Sequence, residues 1–304
     1  MTEDTPSLAI LTSGGDAPGM NMALWAAAAE ANRHGYDMIG FRRGYAGLLA
    51  DDGAVLDVHT ALGYARHGGT FLGTARVEDL PSRLHEAQAR LESRHVTGLI
   101  VLGGDGSLAG AAALAALGVT TVGIPATIDD DVAACDETLG FDTAQATGVT
   151  LADGMRDSAE ALPRLFSLET LGGDTGMLAQ AIGEAVCADV ILRPEAPQTL
   201  DAIVAALQPS VDAGKAALIV ASEGYPDLPG VLQAVEERTG LRVRDSRIGH
   251  AQRGGRPSPR DRRLARTLAE EAVRRCIQGE ACLLNPKSPT TIEARPWRAL
   301  KDAR

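Results

Sequence analysis

Short apolar runs alternate along this chain with longer amphipathic stretches, and that alternation points to a mostly parallel sheet flanked by helices. The apolar runs predict strands at Leu8–Thr12, Asp37–Phe41, Gly98–Leu102, Thr121–Ile124, Leu165–Leu168, Val190–Leu192, Ala217–Ser222 and Leu241–Arg244. Helical periodicity predicts helices over Met20–His34, Arg83–Ser93, Leu108–Leu117, Thr143–Ala161, Met177–Ala188, Leu200–Asp212, Leu228–Glu237 and Pro259–Cys276. With 304 residues and no low-complexity linker or short repeat, the chain suits two closely packed α/β lobes. Ligands bind beyond the carboxyl ends of strands in such sheets. The polar, glycine-rich segments of this chain fall at those ends.

Composition removes several function classes. Aromatic residues are 3% of the chain and the formal net charge is -11. A base-stacking surface or a basic nucleic-acid footprint is therefore not expected. An acidic chain that handles an anionic substrate must concentrate positive charge locally. Lysine occurs only at Lys215, Lys287 and Lys301, so arginine supplies the rest. Ala213-Gly214-Lys215-Ala216 lacks the following Ser or Thr and the preceding Gly of a Walker A loop. The cysteines, Cys135, Cys187, Cys276 and Cys282, show no C-x-x-C spacing and read as reduced thiols. Met1-Thr2-Glu3-Asp4 is acidic with no apolar region, and no 18-residue apolar run follows. A cytoplasmic protein without membrane partners is expected.

Four segments carry chemistry. Thr12-Ser13-Gly14-Gly15-Asp16-Ala17-Pro18-Gly19-Met20-Asn21 follows a strand and opens a helix. Its glycines let backbone N–H groups approach phosphate oxygens, although a tight turn would read the same way. Leu102-Gly103-Gly104-Asp105-Gly106-Ser107 repeats that setting. Asp105 suits Mg²⁺ beside nucleotide phosphates, with a helix N-cap as the alternative. Thr127-Ile128-Asp129-Asp130-Asp131 follows the strand ending at Ile124. In an extended chain Asp129 and Asp131 point to one side, fitting a general base and a neighbour that orients it. Three acids in a row also occur in solvated loops. Arg247-Ile248-Gly249-His250-Ala251-Gln252-Arg253-Gly254-Gly255 combines two fixed cations, an imidazole and a glycine pair, a set suited to a dianionic phosphate.

Taken in order, L-T-S-G-G-D-A-P-G-M-N, G-G-T-F-L-G-T-A-R, G-G-D-G-S, T-I-D-D-D, L-G-F-D-T-A and G-H-A-Q-R-G-G-R-P-S resemble the ATP-dependent 6-phosphofructokinase family of the bacterial phosphofructokinase A type. The resemblance runs from about residue 8 to 262. It implies two similar three-layer α/β/α lobes with mostly parallel sheets. Residues 1–139 and 252–304 would form the larger, ATP-binding lobe, and 140–251 the smaller, sugar-phosphate-binding lobe. The implied reaction moves the γ-phosphoryl of Mg·ATP to the C1 hydroxyl of fructose 6-phosphate. Gly15, Arg76, Gly104, Asp105, Gly106 and Ser107 would serve the nucleotide, with Asp105 holding Mg²⁺. Asp129 would be the base, Asp131 its neighbour, and Thr127 a contact to the attacking hydroxyl. Leu171, Gly172, Gly173 and Glu223 would meet the sugar. Arg164, Arg244, His250 and Arg253 would clamp its phosphate, with Arg164 and Arg244 supplied by a neighbouring subunit of a homotetramer.

Departures from the family pattern sharpen these expectations. Pyrophosphate-dependent relatives usually carry Asp in place of Gly106 and Lys in place of Ala126, so the pair here favours ATP. The family's common Met-Gly-Arg is Leu171-Gly172-Gly173 in this chain. Losing a cation that faces the transferring phosphoryl group costs orders of magnitude in rate, unless Arg76 or another residue substitutes. Another ketose phosphate (tagatose 6-phosphate or sedoheptulose 7-phosphate), pyrophosphate as donor, or a catalytically weak regulatory subunit are the alternatives. Trp25 and Ala29 replace the effector-site arginines of the family, which predicts little control by ADP or phosphoenolpyruvate.

Overall fold

The computed structural model of the protein describes residues 5–161 and 164–302, so the acidic start Met1–Asp4 lies outside the described residues. The chain forms two compact units. The first comprises Met1–Thr127, Asp131–Asp142 and Arg253–Arg304, and the second Ile128–Asp130 and Thr143–Gln252. In chain order the described strands are β1 (Ser7–Thr12), β2 (Asp37–Phe41), β3 (Gly53–Val55), β4 (Val96–Gly103), β5 (Thr121–Thr127), β6 (Leu139–Gly140), β7 (Leu165–Thr170), β8 (Val190–Leu192), β9 (Ala217–Ser222), β10 (Val243–Arg247), β11 (Cys282–Ser288) and β12 (Thr291–Arg295).

In the first unit the sheet runs β12-β11-β5-β4-β1-β2-β3 among the described residues, with β6 paired to the end of β5. Its interior strands β11, β5, β4, β1 and β2 are parallel, and the edge strands β3 and β12 are antiparallel. Buried on both faces, β1 and β5 read as near-continuous runs of buried residues, as covered parallel strands do. Helix Met20–Arg33 turns Ala23, Ala27 and Ala31 inward and packs on helix Pro259–Ile277. Pro259 at the first helical position and Ser258 at the cap fix where the latter begins, Ser258 Oγ accepting from Asp261 N at 3.1 Å. One core gathers Ile39, Phe41, Tyr45, Leu48, Leu91, Leu99 and Val101.

The second unit carries a four-stranded parallel sheet among the described residues, in the order β10-β7-β9-β8. Its core is Leu165, Leu192, Ile203, Leu207, Ile219, Tyr225, Leu232 and Val235.

Eight expected strands are present, but the last is displaced. The expectation was Leu241–Arg244, whereas the strand runs Val243–Arg247. Gly240 ends the preceding helix in the left-handed region, and Val243 N donates to Glu236 Oε2 at 3.0 Å before pairing with β7 begins. The polar Asp245-Ser246-Arg247 stretch is tolerated because β10 is an edge strand. The β11–β12 hairpin was not foreseen. Pro286 and Lys287 mask it, and the register shift between Pro286 and Ser288 accommodates the proline. Helix Asp105–Ala116 starts three residues before the expected Leu108.

Candidate active site

In the first unit, the carboxyl ends of β1, β4 and β5, three neighbouring parallel strands, bring together the first two motifs and Thr127 of the third. The loop after β1 is anchored where Ser13 N donates to Leu102 O at 2.9 Å, and it ends at Gly19, which precedes helix Met20–Arg33. The loop after β4 presses against it. A Cβ on Gly103 would lie 2.5 Å from Ser13 O and 2.7 Å from Ser107 Cβ, and one on Gly14 3.2 Å from Ser107 Oγ. The motif needs glycine at 103 for that close approach.

Gly104, in extended conformation, is the residue before the helix, so Asp105, Gly106 and Ser107 form its first turn. The N-cap position therefore belongs to Gly104, not to Asp105 or Ser107. Asp105 is half-buried there, and a carboxylate in the first turn is favoured by the helix dipole. Tyr45 Oη donates to Ser107 O at 2.8 Å, and burial pushes this phenol well above its ordinary pKa. That bond fixes the floor of the loop. Around Gly106 a Cβ would find no atom within 4 Å. Thr127 closes the group, since a Cβ on Gly104 would lie 3.7 Å from Thr127 Cβ. Thr138 Oγ1 donates to Thr127 O at 2.7 Å.

Arg76 is exposed and follows a pinned turn. Asn21 Nδ2 donates to His67 O and Gly68 O at 3.2 and 3.1 Å, and Asn21 Oδ1 accepts from Phe71 N at 2.8 Å. Thr12 Oγ1 donates to Gly73 O at 3.0 Å. Arg253 also lies in this unit, its Nη1 donating to Asp16 O at 3.3 Å.

In the second unit, Asp129 is half-buried on the Ile128–Asp130 segment. The extended chain assumed for the three acids is absent. Asp130 has φ 52, in the left-handed region, so the two-residue alternation does not apply, and Asp131 is exposed. Gly173 stands beside Asp129, because a Cβ there would lie 3.9 Å from Asp129 Oδ2. Gly173 N donates to Glu223 Oε1 at 3.1 Å, which holds the Glu223 carboxylate at the end of β9. Leu171 N donates to Gln252 Oε1 at 2.8 Å, and Gln252 is fully buried. That amide ties the 171–173 loop to the segment bearing the exposed His250. Alongside, Ile248 N donates to Glu169 O at 3.0 Å and Arg247 pairs with Glu169 at 3.2 Å. Burial raises the Glu169 pKa, and Arg247 counters it. Arg164 precedes β7, and Arg244 sits in β10 opposite Phe166.

Sequence reasoning missed Gln252, Asn21, Tyr45 and Thr175 as supports. Gln252 and Asn21 lie inside quoted motifs, whereas nothing local marks Tyr45 or Thr175. Thr175 Oγ1 lies 3.5 Å from Asp129 O and 3.2 Å from Gly172 O. A separate cavity of ≈ 410 Å³ in this unit is lined by Met155, Arg156, Phe166, Lys215 and Leu218 among others, and no candidate site residue lines it. Among the described residues no helix is long and apolar enough to cross a membrane.

Comparison with known proteins identifies the family. A sequence profile of the family described as Phosphofructokinase matches residues 7–276. The ATP-dependent 6-phosphofructokinase of Halalkalibacterium halodurans is 39% identical over 277 residues, covering 90% of this chain and 87% of that protein. ATP-dependent 6-phosphofructokinase 1 of Thermus thermophilus is 36% identical over 303 residues, covering 98% and 94%. The crystal structure of Pichia pastoris phosphofructokinase in the T-state superposes with a TM-score of 0.93 at 28% identity. All of this chain is covered there, and it spans 36% of the Pichia chain. The chain thus belongs to the phosphofructokinase family.

Proposed function

We propose that the protein is an ATP-dependent 6-phosphofructokinase, moving the γ-phosphoryl group of Mg·ATP to the C1 hydroxyl of fructose 6-phosphate. The observation that carries this reading is the junction of Gly14–Gly15, Gly104–Ser107 and Thr127 at the ends of three adjacent parallel strands. Loops of that kind offer backbone donors to phosphate, and the open space around Gly106 suits a nucleotide better than an acid side chain would. The relatives named ATP-dependent 6-phosphofructokinase support the same donor.

Asp129 accepts the proton of the attacking hydroxyl, and Thr127 orients that hydroxyl. Glu223, held through one oxygen by Gly173 N, presents its carboxylate to sugar hydroxyls. Arg164, Arg244, His250 and Arg253 take the sugar phosphate. Asp131, two residues beyond the base, supports its charge balance. Gly15, Gly104, Gly106, Ser107 and Arg76 hold the donor phosphates. Among the described residues no three His, Cys, Asp or Glu side chains stand together as a metal cage. Mg²⁺ needs none, because it takes one or two carboxylates together with water and phosphate oxygens. Asp105, a hard oxygen donor in a glycine-rich turn, fits that role. When bound, Mg²⁺ would neutralise charge on the donor phosphates. The first unit would be the nucleotide lobe and the second the sugar-phosphate lobe, in a cytoplasmic homotetramer.

Steady-state assays with fructose, tagatose and sedoheptulose phosphates, each with ATP and with pyrophosphate, test the reading. The expected outcome is preferred turnover of fructose 6-phosphate with ATP. Asp129→Ser should lower kcat by about 10²–10⁴-fold, the scale of a general base, with sugar-phosphate affinity kept. An unchanged kcat removes Asp129 from the role.

A further inference from the structure

In the second unit, the pairing of β10 with β7 ends at Arg247 and Glu169, and Ile248 N still donates to Glu169 O at 3.0 Å. Gly249, with φ 56, then turns the chain out of the sheet into the short turn Gly249–Gln252. Beyond Glu169, β7 has no strand beside it on the β10 side among the described residues. A buried backbone N–H there needs another acceptor, and a side chain supplies it: Leu171 N donates to Gln252 Oε1 at 2.8 Å. The other end of the same amide, Gln252 Nε2, donates to Ala144 O at 3.4 Å on helix Phe141–Glu160. Gln252 is fully buried, and its amide accepts and donates at once. After Leu171 come Gly172 and Gly173, at φ 154 and 58. Glycines bring no stiffness of their own, so the direction of Gly173 N depends on the anchors at either end. One anchor is Gln252. The other is Thr175, whose N donates to Gly172 O at 3.1 Å and whose carbonyl accepts from Ser222 Oγ at 3.0 Å.

From this geometry we infer that Gln252 is a positioning residue for sugar recognition: its amide fixes the 171–173 loop so that Gly173 N aims the Glu223 carboxylate. This rests on the kinase reading above, in which Glu223 meets the sugar hydroxyls and His250 the sugar phosphate. Gln252 touches neither substrate. It acts through Leu171 N on the loop and through Gly173 N, at 3.1 Å from Oε1, on Glu223. Because Gln252 also closes the turn that carries His250, one buried amide ties the phosphate end of the sugar site to its hydroxyl end. No covalent step is assigned to it.

Steady-state kinetics of wild type, Gln252→Met and Gln252→Glu separate positioning from bulk stability. Gln252→Met keeps the length of the side chain and removes the amide. Its KM for fructose 6-phosphate should rise by about 10-fold or more, the scale of one hydrogen bond to a charged group. Its KM for Mg·ATP should stay near wild type, and kcat should fall by less than the sugar KM rises, as for lost ground-state binding. Gln252→Glu keeps an acceptor for Leu171 N and should recover part of the sugar affinity. An unchanged sugar KM, or equal rises in both KM values, overturns the inference. So does a lower kcat alone, which is what a smaller folded fraction produces. In a Glu223→Ala background the effect of Gln252→Met on the sugar KM should nearly vanish, and an equal effect in both backgrounds overturns the coupling. Hydrogen exchange on the wild-type protein needs no variant and decides the matter if Gln252→Met does not fold. The Leu171 amide should exchange as slowly as the amides of β7, and exchange at the rate of an open loop overturns the inference. If wild type binds no fructose 6-phosphate, the kinase reading itself fails, and that failure is recognised because it appears without any substitution.

Discussion

Gly173 has φ 58, and its N–H holds Glu223 Oε1 at 3.1 Å. Gly173→Ala turns these two facts into a number with a sign. An alanine kept in the left-handed region is strained by about 1–2 kcal/mol. If the backbone relaxes to negative φ, the N–H leaves the carboxylate. A bond to a charged acceptor contributes about 1.5–3 kcal/mol, and the low end applies because this one is exposed to solvent. The variant should therefore lose about 1–3 kcal/mol by either route, with steric crowding adding little. Asp129 Oδ2, at 3.9 Å from the Cβ position, is the one neighbour within 4 Å among the described residues. Urea denaturation measures the loss directly, and the relaxed route also weakens fructose 6-phosphate binding through the released Glu223. Were φ negative, Gly→Ala would instead stabilise the chain by about 0.4–1 kcal/mol through the unfolded state. A variant as stable as wild type, or more so, refutes the reasoning. Gly173→Arg suffers the same backbone strain, so its kcat relative to Gly173→Ala isolates the added cation. That ratio should be about 10-fold or more, on the scale of one charged contact.

Two further outcomes are expected. Tyr45→Phe removes the donor to Ser107 O and should cost about 1–2 kcal/mol, raising KM for Mg·ATP with kcat little changed; an unaltered melting curve argues against a supporting role. In thiol labelling, exposed Cys187 should react first, whereas Cys276 and Cys282 wait for unfolding, since burial suppresses both and pushes the Cys282 thiol up to about 11; rapid labelling of all four thiols contradicts this.

Much of the fold was legible because parallel strands covered on both faces are mostly apolar, and β1, β5 and β9 are buried over nearly their whole length. The nucleotide-side loops were legible for a related reason. Close backbone approach demands glycine, and Gly103-Gly104 and Gly14-Gly15 stand out at strand ends. Strands at or next to a sheet edge gave no such signal. β10 ends in Asp-Ser-Arg and β11 contains Pro286, and each is stabilised by a neighbour that no local window contains. The left-handed turn at Asp130 was also invisible, because a run of aspartates fits extended and bent chain equally.

The glycine at position 103 bears on how this chain tolerates mutation. Every substitution of a glycine introduces a Cβ. At residues 15 and 103 that atom falls on a guanidinium or on the neighbouring loop's backbone. A function that depends on the absence of an atom has almost no neutral neighbours in sequence space. Saturation libraries over these loops should return a near-empty column at residue 103, where the neighbour is backbone, and a more tolerant one at residue 15, where the flexible end of Arg253 can move aside. Residue 106, with open space around its Cα, should accept small side chains far more readily.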